Sequence, residues 1–238
     1  MKKLLLVIVL VFGFAGSLMA DVSKSDNYDI YRLRYFDYPT YKVKDTLIQN
    51  NTKEVTNFKY SYACGPTSLL FVRNYYHFLK YYEPESFLLD IEDSVNAIKR
   101  LYKYINVPYT SNSSSITSLS DLKNIAKNRW KWKYAAKSGT NYSYNLKKIK
   151  EHLKNNRPLI IALNPKKSSN PRARHSLNPV GNNGHIVIVF AYIDYKKNNK
   201  EDILFYYDPY FGEKHYIYES EFRKASMGST MAYLIVAP

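Results

Sequence analysis

Cysteine occurs once in this chain, at Cys64, so an internal disulfide is excluded. A thiolate-rich zinc site needs several Cys and His ligands at short, fixed spacing. One cysteine and five scattered histidines do not supply it, and neither a metal nor a cofactor is expected. No internal repeat with a period of about 20 to 50 residues is visible, which argues against solenoids and propellers. After Ala20 no apolar run is long enough to span a bilayer. Acidic residues are scarce, 20 against 35 basic ones, for a formal charge of +15. The lysines are spread along the chain and no nucleic-acid-binding motif accompanies them, so nucleic acid is not expected as a partner. A basic surface also suits anionic cell-wall polymers, and a nonspecific cell-wall binder is the weakest of the functional alternatives below.

What is present begins with the N-terminus. Lys2 and Lys3 precede an apolar stretch from Leu4, and small residues end at Ala20. That is the layout of a secretory signal peptide, with a cut expected before Asp21. An uncleaved anchor is the rival, but Gly13, Gly16 and Ser17 break up the second half of the stretch. Asp21 stands where a lipoprotein needs cysteine. The mature protein is therefore expected to be periplasmic or secreted, with no integral membrane span. Three segments follow: residues 1–20 as signal peptide, 21–56 as a polar, tyrosine-rich and irregular N-terminal extension with room for short strands that wrap the domain, and 57–238 as a single domain.

Export sharpens the question of the lone thiol. Exported compartments are oxidising, and structural cysteines there usually come in pairs. Cys64 is then either an inert buried residue or a thiol kept for its chemistry.

Along the mature chain, helices come first. Leu69, Val72, Tyr76, Leu79 and Tyr82 recur at three- and four-residue spacing and predict a helix over 66–82. Leu70, Phe71, Tyr75 and Phe78 widen its apolar stripe nearly all round, as in a helix inside a domain. Pro66 suits the first turn, where its missing N–H costs nothing. Further helices are predicted over 85–104, 119–129 and 143–156, the second of these opened by a capping pair, Ser118 and Asp121. Apolar runs at 159–163, 186–193 and 203–207, and shorter ones at 216–218 and 232–236, read as strands. Helices followed by an antiparallel sheet argue for an α+β fold with N-terminal helices packed on a C-terminal antiparallel sheet.

The chemistry centres on YSYACGPTSLL. A thiol at a helix entrance meets first-turn N–H groups that lack partners and carry partial positive charge. Such surroundings favour the nucleophilic thiolate, and the backbone N–H of Cys64 is a candidate donor to a developing oxyanion. A thiolate also needs a base, and the base an orienter. His77 lies mid-helix, His152 in a lysine-rich helix where it reads as solvated, His175 in a basic loop and His215 on a charged strand edge. His185 differs, because it opens the most apolar strand. Asp208 closes the next strand before Pro209. If those two strands form a hairpin, His185 and Asp208 are neighbours. His175 is the runner-up base.

Cys-Gly-Pro-Thr-Ser opening a helix, then RPLIIA, then GHIVIVFAY, then a strand ending Asp-Pro, appear in that order over roughly Asn57 to Asp208. This arrangement resembles the double-glycine (bacteriocin-leader) peptidase-like family, papain-fold enzymes that form the thirty-ninth family of cysteine peptidases. The resemblance implies a papain-like cysteine peptidase fold, with Cys64 as nucleophile, His185 as general base and acid, and Asp208 orienting the imidazole. Family members commonly place a glutamine about six residues before the cysteine, to complete the oxyanion hole. Here that place is Phe58; Asn57 is the candidate substitute, with Tyr60 and Tyr62 as hydroxyl alternatives. Losing one oxyanion donor typically costs about 100- to 1000-fold in rate.

The long connection 164–183 leads directly into His185 and carries Lys166, Lys167, Arg172 and Arg174. It is either a substrate loop for an acidic partner or a solvated surface. The expected function is hydrolysis of a peptide or peptide-like amide through Cys64, His185 and Asp208, on a peptide or protein substrate. The alternatives are a catalytically weak or inactive peptide-binding module and a transglutaminase-like acyl transferase.

Overall fold

The computed structural model describes residues 21–34, 63–81, 91–109, 117–137, 142–164, 184–196, 200–209, 213–225 and 232–238. Strands β1 (Asp21–Lys24) and β2 (Tyr28–Arg32) come first. They are followed by helices α1 (Cys64–Tyr81), α2 (Ile91–Tyr104) and α3 (Leu119–Asn124). Then come β3 (Tyr134–Lys137), α4 (Tyr142–Lys154), β4 (Leu159–Leu163), β5 (His185–Tyr195) and β6 (Ile203–Asp208). Strand β7 (Glu213–Tyr218), helix α5 (Glu219–Ala225) and strand β8 (Ala232–Ala237) close the chain. The fold is α+β, with helices packed on a curled, wholly antiparallel sheet.

Helix α1 forms where the periodicity places it and starts two residues earlier than Pro66. Its first rung is the Thr67 amide donating to the Ala63 carbonyl at 3.0 Å. Pro66 has no N–H to donate. Of the first four residues, therefore, only Cys64 and Gly65 keep amides with no acceptor inside the helix. The helix is apolar nearly all round because it is buried nearly all round: Leu69, Leu70, Phe71, Val72 and Tyr75 are at most 1% exposed. Burying each such side chain contributes about 1.5 to 3 kcal/mol.

Ser118 caps α3 with both halves of a capping box, accepting from the Asp121 amide at 3.1 Å while the Asp121 carboxylate accepts from the Ser118 amide at 2.7 Å. The helix predicted over 119–129 is α-helical only to Asn124. Ile125–Arg129 widen into a π-helical turn that ends at Trp130. Asn156, in the turn after α4, has φ 51° and accepts a hydrogen bond from the Arg34 amide at 2.9 Å.

Strand β5 organises the sheet. Its first half, His185 to Val189, pairs with β4, and its second half, Ala191 to Tyr195, pairs with β2. Strand β6 pairs with it from Ile188 to Ile193, and a register shift between Val189 and Ala191 marks the change of partner. Beyond β4 lie β8 and β3, and beyond β6 lies β7. The beginning of the segment read as an extension is thus part of the sheet. Residues 21–32 form a hairpin on β5, and Leu33 is 2% exposed in the main core. Strand β3 and helix α5 are further elements that the sequence pattern did not show. No helix among the described residues is long and apolar enough to cross a membrane.

Candidate active site

The site is built from the N-terminus of α1, the first residue of β5 and the last residue of β6. The β5–β6 register explains how the latter two meet. Ile188 is opposite Tyr207, so continuing the ladder sets Asp208 across from Val187. His185, two residues from Val187, lies on the same face. Diagonal neighbours of this kind are within reach of each other's side chains. Accordingly His185 Nε2 lies 2.9 Å from Asp208 Oδ1. At its other end the same hairpin is fastened by Asp202, which accepts from the Tyr195 amide at 2.8 Å and from the Tyr192 hydroxyl.

The third member arrives from the helix. Cys64 stands close enough to the His185 ring to bear on its charge. With Nε2 occupied by Asp208, Nδ1 is the nitrogen left for the thiol. Cys64 is half-buried, while His185 and Asp208 are 7% and 0% exposed. Cys64, His185 and Asp208 are thus brought together.

Two packing contacts hold these positions, and each involves a chain neighbour of a site residue. Gly65, next to Cys64, lies against Ile186, next to His185. Tyr207, next to Asp208, stacks on Phe71 of α1 with ring centroids 4.4 Å apart and planes 23° apart. Helix α1 is therefore pinned to β5 at its mouth and to β6 about two turns further on.

The electrostatics of the imidazole follow from this packing. Burial alone disfavours a charged His185. The Asp208 carboxylate, by charge and by hydrogen bond, together with Cys64 outweighs that. The result is a pKa raised to about 10, which keeps the ring cationic at neutral pH. Burial also pushes the neighbouring Tyr207 phenol well up, with the Asp208 charge adding to it.

The other histidines sit elsewhere. His77 packs on Tyr81, and His215 lies against Tyr206. His152 corrects the sequence reading. It is 4% exposed, not solvated, and lies near the rings of Tyr134 and Tyr233. It shares a helix face with buried Ile149 and Leu153, and that spacing is the signal that the surrounding lysines obscured. Burial pushes its pKa down to about 4. Asn57, Phe58, Tyr60, Tyr62, Lys166, Lys167, Arg172, Arg174 and His175 lie outside the described residues. Among the described residues no cluster of His, Cys, Asp and Glu is arranged to hold a metal.

A family model, that of the Peptidase_C39 like family, matches residues 41–230 of the chain. No curated protein matches it.

Proposed function

The chain belongs to the Peptidase_C39 like family, and from that premise we propose that it is an exported cysteine peptidase or amidase acting on a peptide or peptide-like amide. The observation that carries the reading is the chain of contacts from Cys64 to His185 to Asp208. A half-buried thiol beside an imidazole that is held cationic by a buried carboxylate favours a thiolate–imidazolium pair.

In this mechanism the Cys64 sulfur attacks the carbonyl carbon of the substrate amide. A C–S bond forms and the carbonyl electron pair moves to oxygen. The Cys64 and Gly65 amides, which have no acceptor inside α1, are the candidate backbone donors to that oxyanion, with Asn57 as the proposed side-chain donor. His185 gives its proton to the leaving nitrogen, the C–N bond breaks and an acyl-thioester remains. His185 then takes a proton from water, which attacks the thioester. The acid product leaves and the Cys64 sulfur is regenerated. Asp208 holds the ring with Nδ1 toward the sulfur.

The test has two stages. First, the rate at which iodoacetamide alkylates Cys64 at mildly acidic pH is compared between the native protein and His185→Ala. A fast native reaction that slows in the variant supports the pair, and a rate indifferent to His185 sinks it. Second, products from a peptide mixture are read by mass spectrometry, with Cys64→Ala as control. New peptide termini that vanish in the control support hydrolysis. The export part is tested by N-terminal sequencing of protein recovered from the periplasm or medium. A start at Asp21 supports it, and retention of Met1–Ala20 overturns it.

A further inference from the structure

Gly65, the residue after Cys64, has no room for a side chain. A Cβ built there lies 2.3 Å from Thr117 Oγ1, 3.2 Å from Ile186 Cδ1 and 3.5 Å from Leu122 Cδ1. The first distance is far inside van der Waals contact, since nonbonded carbon atoms prefer about 3.5 to 4.0 Å. Gly65 is therefore wedged between the entry to α3 and the first residues of β5.

Thr117 is suited to act as a stop. It is 6% exposed. Its backbone runs directly into Ser118, whose capping box fixes the start of α3. Its β-branched side chain has two heavy atoms on Cβ and few ways to swing clear. Its Oγ1 has no hydrogen-bond partner among the described residues, so the contact with Gly65 is one of shape.

We propose that Thr117 is a positioning residue: it is the stop against which the first turn of α1 seats, and through Gly65 it sets where Cys64 stands relative to His185. This rests on the functional reading above, in which Cys64 and His185 work as a pair. Ile186 touches the same spot from β5, so any bulk added at Gly65 pushes Cys64 away from the residue next to Ile186, which is His185.

A size swap tests it, read by iodoacetamide alkylation of Cys64 at mildly acidic pH with His185→Ala as the reference. Misplacing a reacting group by about 1 Å costs on the order of 100-fold. Gly65→Ala is expected to lose about tenfold or more of the His185-dependent rate. Thr117→Ala alone loosens the seat and slows the reaction severalfold, whereas Thr117→Val keeps the shape and the rate. The double variant Gly65→Ala/Thr117→Ala restores the rate, because the space that Thr117 Oγ1 vacates takes the methyl added at position 65. Melting temperatures are recorded alongside, since a merely structural contact moves stability and leaves the His185 dependence intact. If Gly65→Ala does not fold, the comparison of Thr117→Ala with Thr117→Val decides alone. Equal His185-dependent rates for those two, or a double variant no faster than Gly65→Ala, overturn the proposal. A native rate indifferent to His185 removes the functional reading itself, which is a distinguishable result.

Discussion

His185 Nε2 and Asp208 Oδ1 stand 2.9 Å apart with almost no solvent contact, the two side chains being 7% and 0% exposed. A carboxylate so deeply buried is stable only when it is paired. The pairing makes Asp208 an electrostatic support for His185 as well as an orienter. Asp208→Asn keeps the shape and removes the charge. Burial is then left to act on His185 without its main opponent, so the raised pKa is expected to fall to or below the ordinary histidine value of about 6.5. NMR titration of the His185 ring reads this directly. An unchanged titration in Asp208→Asn means that Asp208 is not the source of the shift. Asp208→Ala, which strands the partner, is expected to cost about 3 to 5 kcal/mol in urea unfolding.

The two buried histidines give opposite pH dependences. His185 has a folded pKa raised to about 10, above an unfolded value of about 6.5. Its stabilisation is complete below about pH 6.5 and is lost as pH rises through about 10. His152 is pushed down to about 4. Its neutral form is favoured in the fold, so its contribution is complete above about pH 6.5 and is lost as pH falls through about 4. Urea unfolding measured across this range should give a dome. Asp208→Asn is expected to flatten the alkaline side and His152→Phe the acid side. An acid limb that is the same with and without His152 rules out this assignment.

The hairpin at residues 21–32 is expected to be needed for folding. Strand β2 hydrogen-bonds β5 from Ala191 to Tyr195. Ile30 forms a small cluster with Ile193 and Ile203, and Leu33 lies in the main core. Deleting residues 21–56 leaves an edge of β5 unpaired, takes Ile30 and Leu33 out of their clusters and uncovers Ile193 and Ile203; burying a side chain of this kind contributes about 1.5 to 3 kcal/mol. Circular dichroism melts of 21–238 and 57–238 check this. A fragment that melts as high and as sharply as the longer chain contradicts it.

Particular elements show why some of this was legible beforehand. Strands β4, β5 and β6 are continuous apolar runs, buried along nearly their whole length, and their strand-like length and β-branched content set them apart from helix. The Ser118 capping box was legible because both of its members lie within one turn. The His185–Asp208 contact was within reach of sequence reasoning because a single hairpin joins its two strands. For β1 and β2, the sequence predicts short strands within 21–56, but not where they lie or that they pair with β5. Their tyrosines and charged residues carry no clean period, and their strand character comes from pairing with a remote partner. His152 misled for a related reason. Lys147, Lys148, Lys150 and Lys154 dominate its neighbourhood in sequence, while the helix turns it, with Ile149 and Leu153, inward.

By itself, the sequence determined the local matters: a thiol at the mouth of a buried helix, a histidine opening one strand, an aspartate closing the next, and the α+β order of elements. Each depends on periodicity, capping or adjacency within a few residues, where backbone geometry alone dictates the outcome. Only the tertiary structure decided that Cys64 reaches His185, that Phe71 stacks on Tyr207, and that Thr117 presses on Gly65. Those contacts join residues far apart along the chain. Their distances are set by how the helices pack on the curled sheet, a cooperative property of the whole core that no local pattern encodes.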